Sequence, residues 1–214
     1  QHRGAHRRTS QMTTLAPAYI AQEVERWALA NARLLPFCSY TMPTYREAPH
    51  LKLVAEALER VERGELKRLL IQMPPRSGKS ELVSVRFPAW YLGRNPTGFY
   101  IAASYSEELA QDFGGQVRNL VASERYQEIW LHDVTLSADT RAKSLWKTEQ
   151  CGRFLAVGVG SGIVGFGGSV ISLDDPIKKP EEAESQLFRD KVHRWYQTEV
   201  YTRQQPGAAI ILVM

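Results

Sequence analysis

The segment Pro74-Pro75-Arg76-Ser77-Gly78-Lys79-Ser80-Glu81 has the residue types of a phosphate cradle. It follows the apolar run Leu69-Leu70-Ile71-Gln72-Met73. A strand therefore feeds a glycine turn and then a helix, which aims several backbone N–H groups at one point. Pro74 and Pro75 carry no N–H, so the donors begin at Arg76. Lys79 would bring a mobile positive charge to the outer phosphates, Ser80 a hydroxyl for one Mg²⁺ coordination position, and Arg76 a second cation. The candidate nucleotide-contacting residues are thus Pro75, Arg76, Ser77, Gly78, Lys79, Ser80 and Glu81. The strict GxxxxGK[ST] pattern is not met, because Met73 stands at its first glycine position. A plain helix start, with Gly78 turning the chain and Ser80 near the cap, would account for the same residues.

A second constellation is the run Val170-Ile171-Ser172-Leu173-Asp174-Asp175. It sets two carboxylates at the C-terminal end of a buried strand, where open α/β sheets bind ligands. Asp174 would hold Mg²⁺, and Asp175 would orient and deprotonate the water that attacks a γ-phosphate. Adjacent like charges raise at least one pKa unless a cation is near, and the metal would remove that cost. A solvated strand end turning at Pro176 is the alternative reading. Between the two constellations, Gly158 to Gly168 holds six glycines in eleven residues. Their backbone entropy is out of place in a plain core segment, so a flexible or closely packed loop beside the site is expected. It is not a dinucleotide-binding fingerprint, since no GxGxxG helix opening with a following acid is present.

The elements that must position these groups alternate. Ile20, Val24, Trp27, Asn31 and Leu35 repeat at helical spacing, giving a helix that ends before Pro36. Residues 36–49 read as a connection. Leu51, Val54, Leu58 and Val61 stripe a second helix, stopped by Gly64. After the Lys79 helix, residues 98–103 read as a buried strand, and Leu109, Phe113, Val117 and Leu120 stripe the next helix. Residues 133–157 suggest short strands with a hairpin around Glu149 to Gly152. Residues 181–200 suggest one long helix, and 208–214 a last strand. The alternation predicts an α/β fold with a mostly parallel sheet flanked by helices. The expected organisation is a basic tail over 1–17, a helical region over 18–66 packed on the core, and a core over 67–214.

The 214 residues contain 27 Lys plus Arg against 23 Asp plus Glu, a formal charge of +4. Arg3, Arg7 and Arg8 supply most of that excess, so the charge argues only faintly for a polyanionic partner. Two cysteines, Cys38 and Cys151, exclude a disulfide scaffold and a cysteine zinc site, and read as buried small hydrophobes. No apolar stretch approaches about 18 residues, and no signal peptide is evident, so a soluble intracellular protein with no membrane partner is expected. The first residue is Gln1, and the last residues form an apolar run without a following turn, which reads as a fragment.

Together PPRSGKSE at 74–81, IAASYSEELAQDFGGQVRN at 101–119, the glycine segment 158–168 and VISLDDPIKKPEEAES at 170–185 resemble the N-terminal DNA-packaging ATPase domain of the large terminase subunit of tailed bacteriophages. The resemblance spans roughly residues 40–214. It implies a P-loop NTPase of the RecA-like additional-strand class, using ATP and Mg²⁺. It also implies a homo-oligomeric ring at the procapsid portal in the host cytoplasm, with double-stranded viral DNA, the portal protein and the small terminase subunit as partners. Carried over by residue, Lys79 and Ser80 match the phosphate and Mg²⁺ positions, Asp174 the metal-binding acid, and Asp175 the catalytic carboxylate, where many relatives carry Glu. Relatives read adenine just upstream of the loop, where Tyr45 and His50 are the candidates. They often carry an arginine in the glycine turn before the acids; Phe166 stands in that turn here, leaving Arg141 and Arg153 as substitutes. The resemblance also places a coupling motif and a nuclease domain beyond residue 214, so a fragment ending there would lack nuclease activity and hydrolyse ATP poorly.

Lys178, Lys179, Arg189, Lys191 and Arg194 are candidate DNA contacts, interleaved with acids as a solvated helix face would be. Trp195 and Tyr196 could stack on bases, though their spacing from Phe188 and Val192 suits core packing. A P-loop helicase, a small-molecule P-loop kinase and a nucleotide-gated interaction module share parts of the same motif set.

Overall fold

A computed structural model of the chain describes residues 17–163 and 165–214. The basic tail expected over residues 1–17 lies outside the described residues but for Pro17, which opens the first helix. Three helices come first: α1 Pro17–Ala32, α2 Leu34–Thr41 and α3 Pro49–Glu62. Strand β1, Arg68–Ile71, then leads through the 72–78 turn into a π-helical segment, Glu81–Arg86, continued by α4, Phe87–Arg94. There follow β2 Phe99–Ser104, α5 Glu107–Val121, α6 Glu124–Trp130, β3 Leu136–Arg141, β4 Leu145–Thr148, β5 Arg153–Gly158, β6 Gly168–Asp174, α7 Pro180–Glu184, α8 Gln186–Trp195 and β7 Gln204–Val213.

The strands form one seven-stranded sheet in the order β1-β7-β6-β2-β5-β4-β3. β1, β7, β6, β2 and β5 run parallel, while β4 pairs antiparallel to both β5 and β3. Parallel strands buried on two faces are apolar at nearly every position, and β2 is buried from Tyr100 to Ser104. Tyr100, Ala102, Val170 and Ile211 face a core shared with α1 to α5, whereas Ile101, Ala103, Ile171 and Leu173 face a second cluster closed by Trp195 and Val200. Ala30, Leu34, Phe37, Leu51 and Leu58 belong to the first core, so the N-terminal helices share one hydrophobic interior with the sheet.

The expected alternation and the 149–152 hairpin are present, and several local expectations are corrected. Residues 36–49 are not all connection, because α2 occupies 34–41. Pro36 sits in its first turn, where no intrahelical N–H is needed. The start of α2 is held from a distance: Glu59 of α3 accepts the Leu34 N–H at 2.9 Å and the Arg33 guanidinium at 2.9 Å. The helix expected over 181–200 is broken at Ser185, whose hydroxyl accepts the Phe188 N–H and caps α8. Cys38 is buried, and burial pushes its thiol pKa up, but Cys151 is exposed at φ +67° in the β4–β5 turn.

The glycine segment also differs from expectation. β5 and β6 are both parallel to β2 and flank it, so the 158–168 connection must cross from the C-terminal to the N-terminal ends of the strands. Only its start lies beside the site. Its two ends are closely packed, since an added Cβ would meet the Glu107 nitrogen at 2.7 Å from Gly158 and an Ile171 side-chain carbon at 2.8 Å from Gly168, while a Cβ at Gly165 would meet nothing within 4 Å. Glu199 accepts the Ile163 N–H at 2.9 Å, and Trp195 donates its indole N–H to the Ser161 carbonyl at 2.7 Å.

Gly114 of α5 shows how tightly the sheet is covered. Trp146 stacks on Phe154 with centroids 5.2 Å apart and donates to the Gly114 carbonyl at 3.1 Å. A Cβ at Gly114 would stand 2.2 Å from the Lys143 carbonyl oxygen and 3.2 Å from Phe154. Gly114→Ala should therefore cost about 1–3 kcal/mol through backbone displacement, seen in thermal melting as a drop of several degrees.

Candidate nucleotide site

β1 and β6, the strands that carry the two constellations, are not neighbours; β7 lies between them. Their ends are nevertheless tied at one edge. The Val213 carbonyl of β7 accepts the Asp175 N–H at 2.9 Å, and the Met214 carbonyl accepts the Met73 N–H at 2.9 Å. β7 thus acts as a spacer that sets the glycine turn and the acidic pair opposite each other.

The turn has the conformations its residues allow. Gly78 stands at φ +86°, where a side chain is strained, and an added Cβ would also press on Leu51 at 3.3 Å. Arg76 is exposed at φ +61°. The bond from the Leu82 N–H to the Gly78 carbonyl opens the helix, so by helix geometry the amides preceding Leu82 have no intrahelical acceptor. With the positive end of the helix dipole, they are the kind of donor set that suits an anion. The start of α3 braces the loop: His50 Nε2 lies 3.0 Å from the Ser77 carbonyl oxygen.

Lys79 is only 8% exposed. Its ammonium donates to Asp175 Oδ1 at 3.2 Å and to the Met73 carbonyl at 3.4 Å. Residues 96 positions apart therefore meet at one point. Asp175 adopts φ +43°, a left-handed conformation that Asp tolerates better than most residues, and its side chain is 43% exposed. Asp174 points the other way, into the protein, at 3% exposure. Burial raises its carboxyl pKa, hydrogen bonding from Ser84 opposes this, the Asp175 charge adds to the rise, and Ser80 and Lys79 oppose it. Ser84 Oγ donates to Asp174 Oδ2 at 2.6 Å, while the buried Oδ1 has no hydrogen-bond partner. The Asp174 carboxyl, with one oxygen unpaired, and the Ser80 hydroxyl, near enough to influence it, make a hard-oxygen donor set that fits Mg²⁺.

Other candidates sit less directly. The Glu81 carboxylate is engaged by Arg86 at 2.7 Å. Tyr45 is half-buried against the first core, and its hydroxyl has no hydrogen-bond partner. Burial raises the Tyr45 pKa, and the neighbouring Cys38 adds to the rise. Of the adenine candidates, His50 touches the loop backbone and Tyr45 packs on the core beside Cys38. Ser84 was missed, although its four-residue spacing from Ser80 is a signal for a shared helix face.

The arrangement, a strand, a phosphate turn and a second acid-bearing strand separated by one more, is that of additional-strand P-loop NTPases, and a family model decides the rest. The model of the terminase large subunit, T4likevirus-type, N-terminal region, matches residues 70–214. The chain belongs to the phage large terminase subunit family. Its fold is the RecA-like α/β fold of that family's ATPase domain. The large terminase of bacteriophage HK97 is similar over 88% of this chain, with a TM-score of 0.56 and 13% identity. The ATPase domain of the Thermus phage P74-26 large terminase is similar over 85% of this chain and 69% of its own, with a TM-score of 0.50 and 14% identity. This terminase chain spans 37% of the length of the HK97 protein. Among curated proteins, none matches the sequence.

The remaining cations spread over the molecule. Arg153 opens β5 at the N-terminal edge of the parallel strands, its guanidinium 4.8 Å from the Phe99 ring centroid, and Arg141 bonds the Ser137 carbonyl in β3. Arg189 is committed to the Ala183 carbonyl and to Gln186. Lys178 lies 4.9 Å from the Tyr105 ring centroid and, with the exposed Lys191, lines a cavity of about 330 Å³ at the ends of β2 and β5. Trp195 is a core residue, buried and hydrogen-bonded, as its spacing suggested. No described helix is long and apolar enough to cross a membrane.

Proposed function

We propose that this chain is the ATP-hydrolysing motor domain of a DNA-packaging terminase, coupling hydrolysis to translocation of double-stranded viral DNA into a procapsid. The observation that carries the reading is the meeting of Lys79 with the Asp174–Asp175 pair at one sheet edge. Backbone amides from Arg76 to Ser80 cradle the phosphates, with Pro75 and Ser77 shaping the loop and Gly78 permitting its turn. Lys79 exchanges Asp175 for phosphate oxygens, and Arg76 at the loop tip supplies a further cation. Ser80 and Asp174 would hold Mg²⁺, which when bound neutralises phosphate charge as it builds in the transition state. Asp175, exposed beside Lys79, orients the attacking water and takes its proton. Tyr45 and His50 border the base side of the nucleotide, and Glu81 orders the first helical turn through Arg86.

Family membership supports the partners: duplex DNA, the portal protein, the small terminase subunit and further copies of the chain in a ring at the procapsid portal in the host cytoplasm. The test is an ATPase assay of the full-length protein with and without duplex DNA and purified portal. Stimulation by both is expected, and the DNA-dependent part should fall steeply as salt rises. Turnover indifferent to DNA and portal would instead favour a small-molecule kinase or a passive nucleotide-gated module.

A further inference from the structure

Ser84 lies one turn beyond the phosphate loop and is 2% exposed. Buried or half-buried hydroxyls on helices commonly bond back to their own backbone. Half-buried Thr41 does so to the Phe37 carbonyl. Ser84 instead spends its hydrogen on Asp174 Oδ2, across the core on another element, at 2.6 Å. The helix is widened where this happens. The Phe87 N–H bonds the Leu82 carbonyl, five residues back, and Pro88 has no N–H to close a regular turn onto Ser84.

A carboxylate is nearly free to rotate about its last torsion unless something holds one oxygen. Of the two oxygens here, one is held by Ser84 and the other is buried without a partner. The only other hydroxyl paired in register with Asp174, that of Ser104 on β2, makes no hydrogen bond. We propose that Ser84 is a positioning residue that fixes the plane of the Asp174 carboxylate, so that the oxygen it does not bond is presented to the Ser80 side of the site. It links the helix behind the phosphate loop to the metal-binding acid, and it acts through Asp174 without touching nucleotide. The inference rests on the Mg²⁺–nucleotide reading above.

The test is equilibrium binding of a fluorescent ADP derivative to wild type, Ser84→Ala and Ser84→Thr, in EDTA and across a Mg²⁺ titration, alongside thermal melting and steady-state ATP turnover. Ser84→Ala should keep its EDTA affinity within about twofold, and need at least about fivefold more Mg²⁺ to reach half of the metal-dependent tightening, as expected for loss of a hydrogen bond to a charged group. Its kcat should fall by a similar factor with little change in KM, and Ser84→Thr, which keeps the hydroxyl, should recover most of both. An unchanged Mg²⁺ requirement in Ser84→Ala would overturn the proposal, as would equal loss of affinity in EDTA, or a Thr variant as impaired as Ala at wild-type melting temperature. A wild-type chain whose nucleotide affinity is indifferent to Mg²⁺ would overturn the site reading itself and this proposal with it.

Discussion

Lys79→Ala should lower ATP turnover by at least about 100-fold, with melting temperature changed by only a few degrees. The two effects separate because of where the ammonium sits. Lys79 is buried, but its ion-pair partner Asp175 is 43% exposed, so water screens the pair and its loss costs the fold little. In the transition state the same charge has no substitute at that position, since Arg76 lies at the exposed loop tip and Arg86 is held by Glu81. Truncation should weaken binding of nucleoside triphosphate more than of monophosphate if the ammonium addresses the outer phosphates, as proposed. The measurements are DNA-stimulated phosphate release, competition binding with the two nucleotides, and a thermal melt. Wild-type affinity and turnover in Lys79→Ala would remove the site from residues 74–81.

The parts of this site that local chemistry determines could be read in advance. Gly78 needs positive φ, Lys79 follows it at the mouth of a helix, and Asp174 ends a run too apolar to be anything but an inner strand. What escaped were features set by distant partners. The N-terminus of α2 is capped by Glu59, 25 residues later, so nothing near Leu34 announced that the first helix stops at Ala32 and a new one starts there. Ser185 divides what looked like one helix because its hydroxyl caps the second half, and a serine inside a polar stripe carries no visible breaker signal. The glycine segment signalled the close packing found at its two ends, but its route depended on β5 and β6 both pairing with β2, a long-range fact. The insertion of β7 between the two site strands was likewise invisible, since its residues lie last in the chain and carry no site chemistry.

Asp174→Asn should act in opposite directions on function and on stability. Turnover should fall by at least about 100-fold, because an amide oxygen is a far weaker ligand for a hard cation than a carboxylate. Stability without metal should rise at neutral pH. Burial is the largest influence on the Asp174 carboxyl and raises its pKa, so the folded chain holds that proton more firmly than the unfolded chain does. A group shifted in this sense contributes fully below its unfolded pKa, and its contribution is lost as pH rises through the folded value. Above that folded value the wild type must carry a buried carboxylate whose charge the site only partly compensates, whereas Asn carries none and still accepts the Ser84 hydrogen bond. The melting-temperature advantage of Asp174→Asn in EDTA should therefore be a few degrees near pH 7.5, and should vanish as pH falls below the ordinary carboxyl value of 3.8. Adding Mg²⁺ and ADP should reverse the order, since ligand that binds only the native state stabilises the wild type by mass action. If the variant instead melted below wild type at neutral pH in EDTA, the ionised carboxylate would be a net support of the fold, and the reading of Asp174 as an acid held at a cost for its metal would fail.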